Sequence, residues 1–266
     1  MVEPEHVRYV PRTYRCRRHD RFGLHHHPDE ADDVVARTEE DVSFACVWLR
    51  DALDFRPVRS LHVCLYHSHE EAVSSLRRDV PGNMAMAPFS TEEASLIVIQ
   101  SPACHPMNGD RTRMRRLLVH ELCHVFVREK TGSVAMLGDD LRDLRIRPWL
   151  DEGLAEVLSR RAVGRESPCP GSGTGDEDWS LEEIDRHLCD LGSARRSEAF
   201  ARAEQRVRDV TLHAGARWVF EHLVDVSDAD HESGEQRGPL GISRREAARS
   251  RSRLRRPVPP PSAASR

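Results

Sequence analysis

The sequence predicts an α+β fold: a small mixed sheet packed on one buried helix, followed by a mostly helical second half. Three observations carry this reading. Short stretches with strand-like apolar character lie only in the first hundred residues, at 20–28, 58–66 and 94–100. A longer apolar run at 117–126 follows the last of them. Beyond it, the segments 149–158, 180–188 and 197–226 carry helical rather than strand patterning. A chain of 266 residues with 38% hydrophobic content can bury one large core or two small ones.

Taken in order, residues 20–28 alternate like a short strand, and 29–55 place Val34, Val35, Val42, Ala45, Cys46 and Leu49 on one helical face. Residues 58–66 read as a buried strand in which Leu61, Val63 and Leu65 alternate, with a short helix over 68–78 after it. The segment Gly82-Asn83-Met84-Ala85-Met86-Ala87 suits a flap over a cleft or a turn into a strand equally well. Leu96-Ile97-Val98-Ile99 mark the third strand, which leads into the helix around 117–126. Pro148 suits the first turn of the next helix, and residues 131–147 form the loop between. A Pro- and Gly-rich linker spans 164–178, and Ser180 with Glu183 makes a capping box for a helix towards Leu188. One long helix is expected over 197–226, with Val207, Val210, Leu212, Trp218, Val219, Phe220 and Leu223 as core candidates. From 227 the chain is polar, Arg-rich and ends near Pro257-Val258-Pro259-Pro260-Pro261, a composition that predicts disorder. The predicted organisation is therefore an N-terminal segment (1–19), a folded domain (20–226, its α/β part ending at 130) and a tail (227–266).

The chemistry concentrates in Leu117-Leu118-Val119-His120-Glu121-Leu122-Cys123-His124-Val125-Phe126. On a helix, residues four apart share a face, so the His120 and His124 imidazoles can reach one metal ion. Zinc takes such neutral nitrogen donors, and a catalytic zinc keeps one position open for water. Glu121, one position round the helix, is placed to take a proton from that water. Random placement at this histidine and glutamate content gives roughly 0.07 matches to His-Glu-x-x-His per chain, so the five letters alone are moderate evidence. Uncharged flanks strengthen it, and so does the helical segment Trp149-Leu150-Asp151-Glu152-Gly153-Leu154-Ala155-Glu156 downstream. A carboxylate from a following helix is a well-attested third ligand.

These residues resemble the gluzincin zinc peptidases, the group of thermolysin and the M1-type aminopeptidases, and most of all their small bacterial peptidase MA-like relatives. The resemblance implies a zincin-like fold and a bound Zn2+ held by His120, His124 and Glu152, with Glu121 as base. Glu156, one turn after Glu152, reads equally as an acceptor for a ligand histidine N–H or as part of a solvated face. Asp151 and Glu156 are the alternative third ligands. Between His124 and Glu152 the spacing exceeds that of the aminopeptidases. In this group an edge strand borders the cleft, which would make residues 95–101 the strand a substrate pairs with. The usual Tyr opposite the zinc has no counterpart, because Tyr9, Tyr14 and Tyr66 all precede the helix. His213 is the candidate replacement as oxyanion stabiliser, with Arg217 weaker; the plain reading of His213 is a helix-surface histidine.

The remaining histidines invite less. In His25-His26-His27 neighbouring side chains point to opposite faces of a strand, so a structural role is expected there and at His67 and His69. His105, in a Pro-containing loop before the helix, is a candidate to line the cleft. With a net charge of −4 no global field draws the chain to nucleic acid or an anionic membrane. No segment is long and apolar enough for a membrane span. No signal-like h-region is recognisable, so a cytoplasmic location is expected. Seven scattered cysteines do not form a disulfide framework. The expected function is peptide-bond hydrolysis on a peptide or protein substrate. A non-catalytic zinc-binding regulatory or interaction module is the alternative. No Gly-x-Met-Glu-Asn run is present to grip a free N-terminus, which leans towards an endopeptidase.

Overall fold

The computed structural model describes residues 9–76, 85–90, 94–105, 109–134, 145–165, 179–190 and 192–228. Strands β1 (Arg15–Arg18), β2 (Phe22–His26), β3 (Ser60–Tyr66), β4 (Ala85–Ser90) and β5 (Ala94–Gln100) form one mixed sheet in the order β1-β2-β3-β5-β4. β2, β3 and β5 are parallel, in register through Leu24, Val63 and Ile97, while β1 and β4 are antiparallel edges. Helix α1 (Asp32–Leu53) links β2 to β3, and α2 (His69–Leu76) follows β3. Period-two alternation sorts the sheet's side chains. Leu61, Val63, Leu65, Ile97 and Ile99 face the main core with α1, whereas Cys64, Tyr66, Leu96 and Val98 face a smaller cluster with Ala72 and Leu76.

Two expectations about the sheet change. β1, with the sequence Arg-Cys-Arg-Arg, joins the sheet, and Tyr9 and Val10 are buried in the smaller cluster. The packed region therefore begins by residue 9 and not at 20. Residues 95–101 do not form an edge: β5 lies between β3 and β4, and β4 is the outer strand. Of the segment 82–87, Ala85 to Ala87 lie in β4, and 82–84 fall outside the described residues. A register shift between Met86 and Phe89 surrounds Pro88, a residue sheets accept at edges and bulges.

After β5 the chain enters α3 (Arg111–Thr131). Asp110 caps it by accepting from the Arg113 N–H, and Gly132 ends it at φ +67°, a left-handed conformation that favours glycine. Then come α4 (Pro148–Ala162), with Pro148 in its first turn, and α5 (Leu181–Cys189), started by the Ser180–Glu183 capping box. The expected single helix over 197–226 is instead α6 (Arg196–Ala214), α7 (Ala216–Glu221) and α8 (Leu223–Asp228). Gly215, at φ +90° and ψ 148°, makes the first break. Leu212, expected in the core, is 65% exposed just before it. The tail beyond 228 and most of the 131–147 and 164–178 segments lie outside the described residues. No helix among the described residues is long and apolar enough to cross a membrane.

Candidate metal centre

Helices α3 and α4 pack together, and α4 packs in turn on α6. The three helices share one apolar core, in which Leu118 and Leu122 of α3, Trp149, Leu150 and Leu154 of α4, and Ala203 and Val207 of α6 are almost fully buried. Gly153 fixes how closely α4 meets α6. A Cβ there would lie 2.5 Å from the Ala203 carbonyl oxygen and 2.6 Å from Val207 Cγ2, so only glycine permits the approach. The adjacent Glu152 is turned towards α3.

His120, His124 and Glu152 come together and are able to hold a metal ion. The His120 and His124 Nε2 atoms are 3.2 Å apart. Glu152 Oε2 lies 3.3 Å from the first and 3.5 Å from the second. A tetrahedral ion bound at about 2.0–2.1 Å sets neighbouring donor atoms about 3.3–3.4 Å apart, the size of this triangle. Glu152 Oε2 is buried without a hydrogen-bond partner among the described residues. A buried carboxylate oxygen of this kind is stabilised by positive charge beside it, from a protonated histidine or a bound cation.

The outer nitrogens of both imidazoles face carboxylates of α4. His120 Nδ1 is 3.3 Å from Glu156 Oε1, and His124 Nδ1 is 2.9 Å from Asp151 Oδ1. The second contact is close but off the line of a hydrogen bond, since neither atom completes one. Carboxylates at Nδ1 favour the tautomer with its proton there, which leaves both Nε2 lone pairs directed at each other and at Glu152. Three converging lone pairs repel unless positive charge sits among them. The electrostatics agree. Burial disfavours charge on His120, yet Glu152 and Glu156 outweigh it and push its pKa up to about 10. His124 is also raised well above an ordinary histidine, burial again being outweighed by Asp151 and Glu152. Burial would raise Glu152, but the two histidines hold it well below the usual carboxylate range. Two imidazolium rings with Nε2 atoms 3.2 Å apart would repel each other; one positive charge at the centre, a proton on one Nε2 or a bound cation, relieves all three groups.

Glu121 is half-buried and lines a cavity of 560 Å³ with His120, Glu156, Arg113, Arg116 and Arg165. Arg116 donates to Glu156 at 2.7 Å. Arg160 binds Glu204 of α6 at 3.0 Å and lies 3.5 Å from Glu156, tying that carboxylate into a buried ionic chain. Asp151 and Glu156, expected as alternative ligands, thus stand behind the two histidines. Glu156, its carboxylate lowered by His120 and Arg116 against the effect of burial, is not on a solvated face.

The structure does not bring His213 to this cluster. Helix α6 buries Ala199, Ala203, Val207, Val210 and Thr211, which turns position 213 outward. His213 is exposed, with Nδ1 2.6 Å from the Asp209 carbonyl oxygen, and it does not line the cavity. Arg217 pairs with Asp54 and Glu221. His105 is half-buried in the loop after β5 and is also not among the cavity's lining residues. His25 Nε2 lies 3.0 Å from His62 Nδ1, and His67 Nδ1 lies 3.0 Å from Glu30, so these histidines sit in local contacts of their own. Sequence reasoning missed Arg116 and the Arg160–Glu204 pair; a clue was the presence of arginines one turn from the motif and from Glu156. Compared with models of known families and with curated proteins, the chain matches none.

Proposed function

We propose that this chain is a zinc-dependent metallopeptidase of the gluzincin type. The observation that carries the reading is the convergence of His120, His124 and Glu152 beside a cavity that Glu121 also lines. Two imidazoles and a carboxylate form a donor set suited to zinc. The same set serves non-haem iron. The glutamate adjacent to His120, placed to act as a base, favours zinc and hydrolysis.

Zinc, when bound, would supply a Lewis acid for the scissile carbonyl. The remaining work belongs to side chains. Glu121 takes a proton from the attacking water and delivers it to the leaving amine. Asp151 and Glu156 hold the imidazoles in the tautomer that turns Nε2 inward. Arg113 and Arg165 are the cavity's cationic groups with no ion-pair partner among the described residues, and they take the oxyanion role that the exposed His213 does not fill. An extended peptide would pair with β4, the antiparallel edge strand that packs beside α3.

The alternative, a non-catalytic zinc module, accounts for the ligands but gives no reason for an open cavity at His120 and Glu121. Glu121→Gln is expected to abolish hydrolysis of a denatured protein substrate while about one zinc per chain is retained. Undiminished turnover in that variant, with metal content unchanged, would remove Glu121 from the mechanism; absence of hydrolysis by the zinc-loaded wild type would favour the alternative.

A further inference from the structure

A second cavity, of 860 Å³, lies across α3 from the metal centre, where Leu122, Val125 and Phe126 form part of its wall. At 100° per residue these positions point opposite to His120 and His124. The starts of β2 and β3, the end of α1 and the 56–60 loop close the other sides. Its charge is one-sided: Arg18, Arg21, Arg50, Arg56 and Arg59 line it against a single acid, Asp20. The chain as a whole has more acids than bases. The cavity beside His120 sets three arginines against three acids, and a third cavity near α1 is also mixed in sign.

Two of the five arginines are committed. Arg50 pairs with Asp51 at 2.7 Å, and Arg59 donates to the Ser133 carbonyl. Arg18, Arg21 and Arg56 have no ion pair with another described residue, and all three are exposed at the rim. Guanidinium groups gathered around one cavity repel each other and are the preferred partners of carboxylates and phosphates, which their planar fork binds through paired N–H donors. Beneath them Phe22, Leu61, Leu122 and Phe126 provide an apolar floor. Cys16, His25 and His62 also line it, with Cys16 Sγ 3.9 Å and His62 Nδ1 3.0 Å from His25 Nε2. That trio alone would suit a soft cation, but the arginines surrounding it oppose one.

We propose that this cavity binds a multiply charged organic anion: a molecule with phosphate groups for the rim arginines and a flat, less polar body for the floor. A nucleoside triphosphate has that chemistry, and 860 Å³ is within the range of small-ligand sites. The site is independent of the proposed hydrolysis, which uses the other face of α3.

The test is calorimetric titration of the full chain with ATP and, separately, inorganic tripolyphosphate, in low salt without divalent metal. The wild type is expected to bind one equivalent of ATP more tightly than tripolyphosphate. Arg21→Glu with Arg56→Glu should weaken ATP about tenfold or more, the scale of a lost charge-assisted contact. Arg12→Glu with Arg186→Glu, the same charge change at exposed positions outside the cavity, should leave it within about twofold. Equal weakening in both double variants would reduce the effect to net charge and overturn the proposal, as would absence of binding in the wild type. A zinc ion retained by His120→Ala/Glu152→Ala and lost on adding Cys16→Ser would make the cavity a cation site, and would also overturn it.

Discussion

Asp151 shows how much of this site depends on a residue that need not touch the metal. It is 2% exposed, and its Oδ1 stands 2.9 Å behind His124 Nδ1. Without it, nothing in that position biases the His124 proton towards Nδ1, and the ring loses the contact that orients Nε2. Partners of this kind change metal affinity by about 10–100-fold. Asp151→Ala is therefore expected to weaken zinc binding within that range while Glu152 still binds, measured by competition with a chromophoric chelator. Glu156→Gln should cost less, because Arg116 and Arg160 also hold that side chain in place. If Asp151→Ala binds zinc as tightly as the wild type, the His124–Asp151 contact is packing and not orientation. From the sequence, Asp151 and Glu156 were readable as alternative ligands, and Glu156 also as an acceptor for a ligand histidine N–H. Which of three carboxylates faces the inner nitrogens depends on the rotation of α4 about its axis, and that is set by how α4 packs between α3 and α6.

At the scale of elements, Gly153 couples that rotation to α6. Adding a methyl group at 2.5 Å from the Ala203 carbonyl forces backbone apart from backbone. Overpacking of this kind costs typically about 1–3 kcal/mol. Gly153→Ala should lower stability by about that much in urea unfolding, and should also weaken zinc binding as α4 shifts with Glu152 on it. Adding Val207→Ala should relieve only part of the loss, since the carbonyl contact remains; full rescue would mean the side chain alone set the spacing. The elements themselves were legible in proportion to how far burial patterned them. β3 and β5, buried on one or both faces, show apolar runs, and α3 and α4 carry motif and packing together. β1 is Arg-Cys-Arg-Arg with three of its four residues exposed, and β4 carries Pro88, so neither edge strand shows apolar alternation. The neighbour of β5 across the sheet cannot be read from local sequence, which is why 95–101 looked like an edge. The face of α6 was misjudged at Leu212 because apolar residues continue past Gly215 and blur where one helix ends, while His213 takes the helix-surface position that was its plain reading.

For the whole molecule, the candidate metal centre lies where two halves meet: α3 belongs to the sheet layer and α4 to the helical layer. The question is whether the metal holds these halves together or only uses their junction. Helices α3 and α4 pack together within one core that includes Leu118, Leu122, Trp149, Leu150 and Leu154, each about 1% exposed or less, and α4 packs in turn on α6. Burying a side chain of that size contributes roughly 1.5–3 kcal/mol, so the junction does not need an ion in order to form. The metal-free chain should then stay folded and unfold cooperatively. Zinc should raise its midpoint by mass action: at a free concentration a thousandfold above Kd the stabilisation is about 4 kcal/mol, or about 8–16 °C for a domain of this size. Thermal unfolding with and without chelator measures this, with Glu152→Ala as the variant whose midpoint zinc should barely move. A chelated protein that keeps a sharp transition at a lower midpoint matches an open site used for chemistry. Loss of any cooperative transition on chelation would instead identify the ion as the element that joins the halves, and the non-catalytic reading would then gain the stronger physical case.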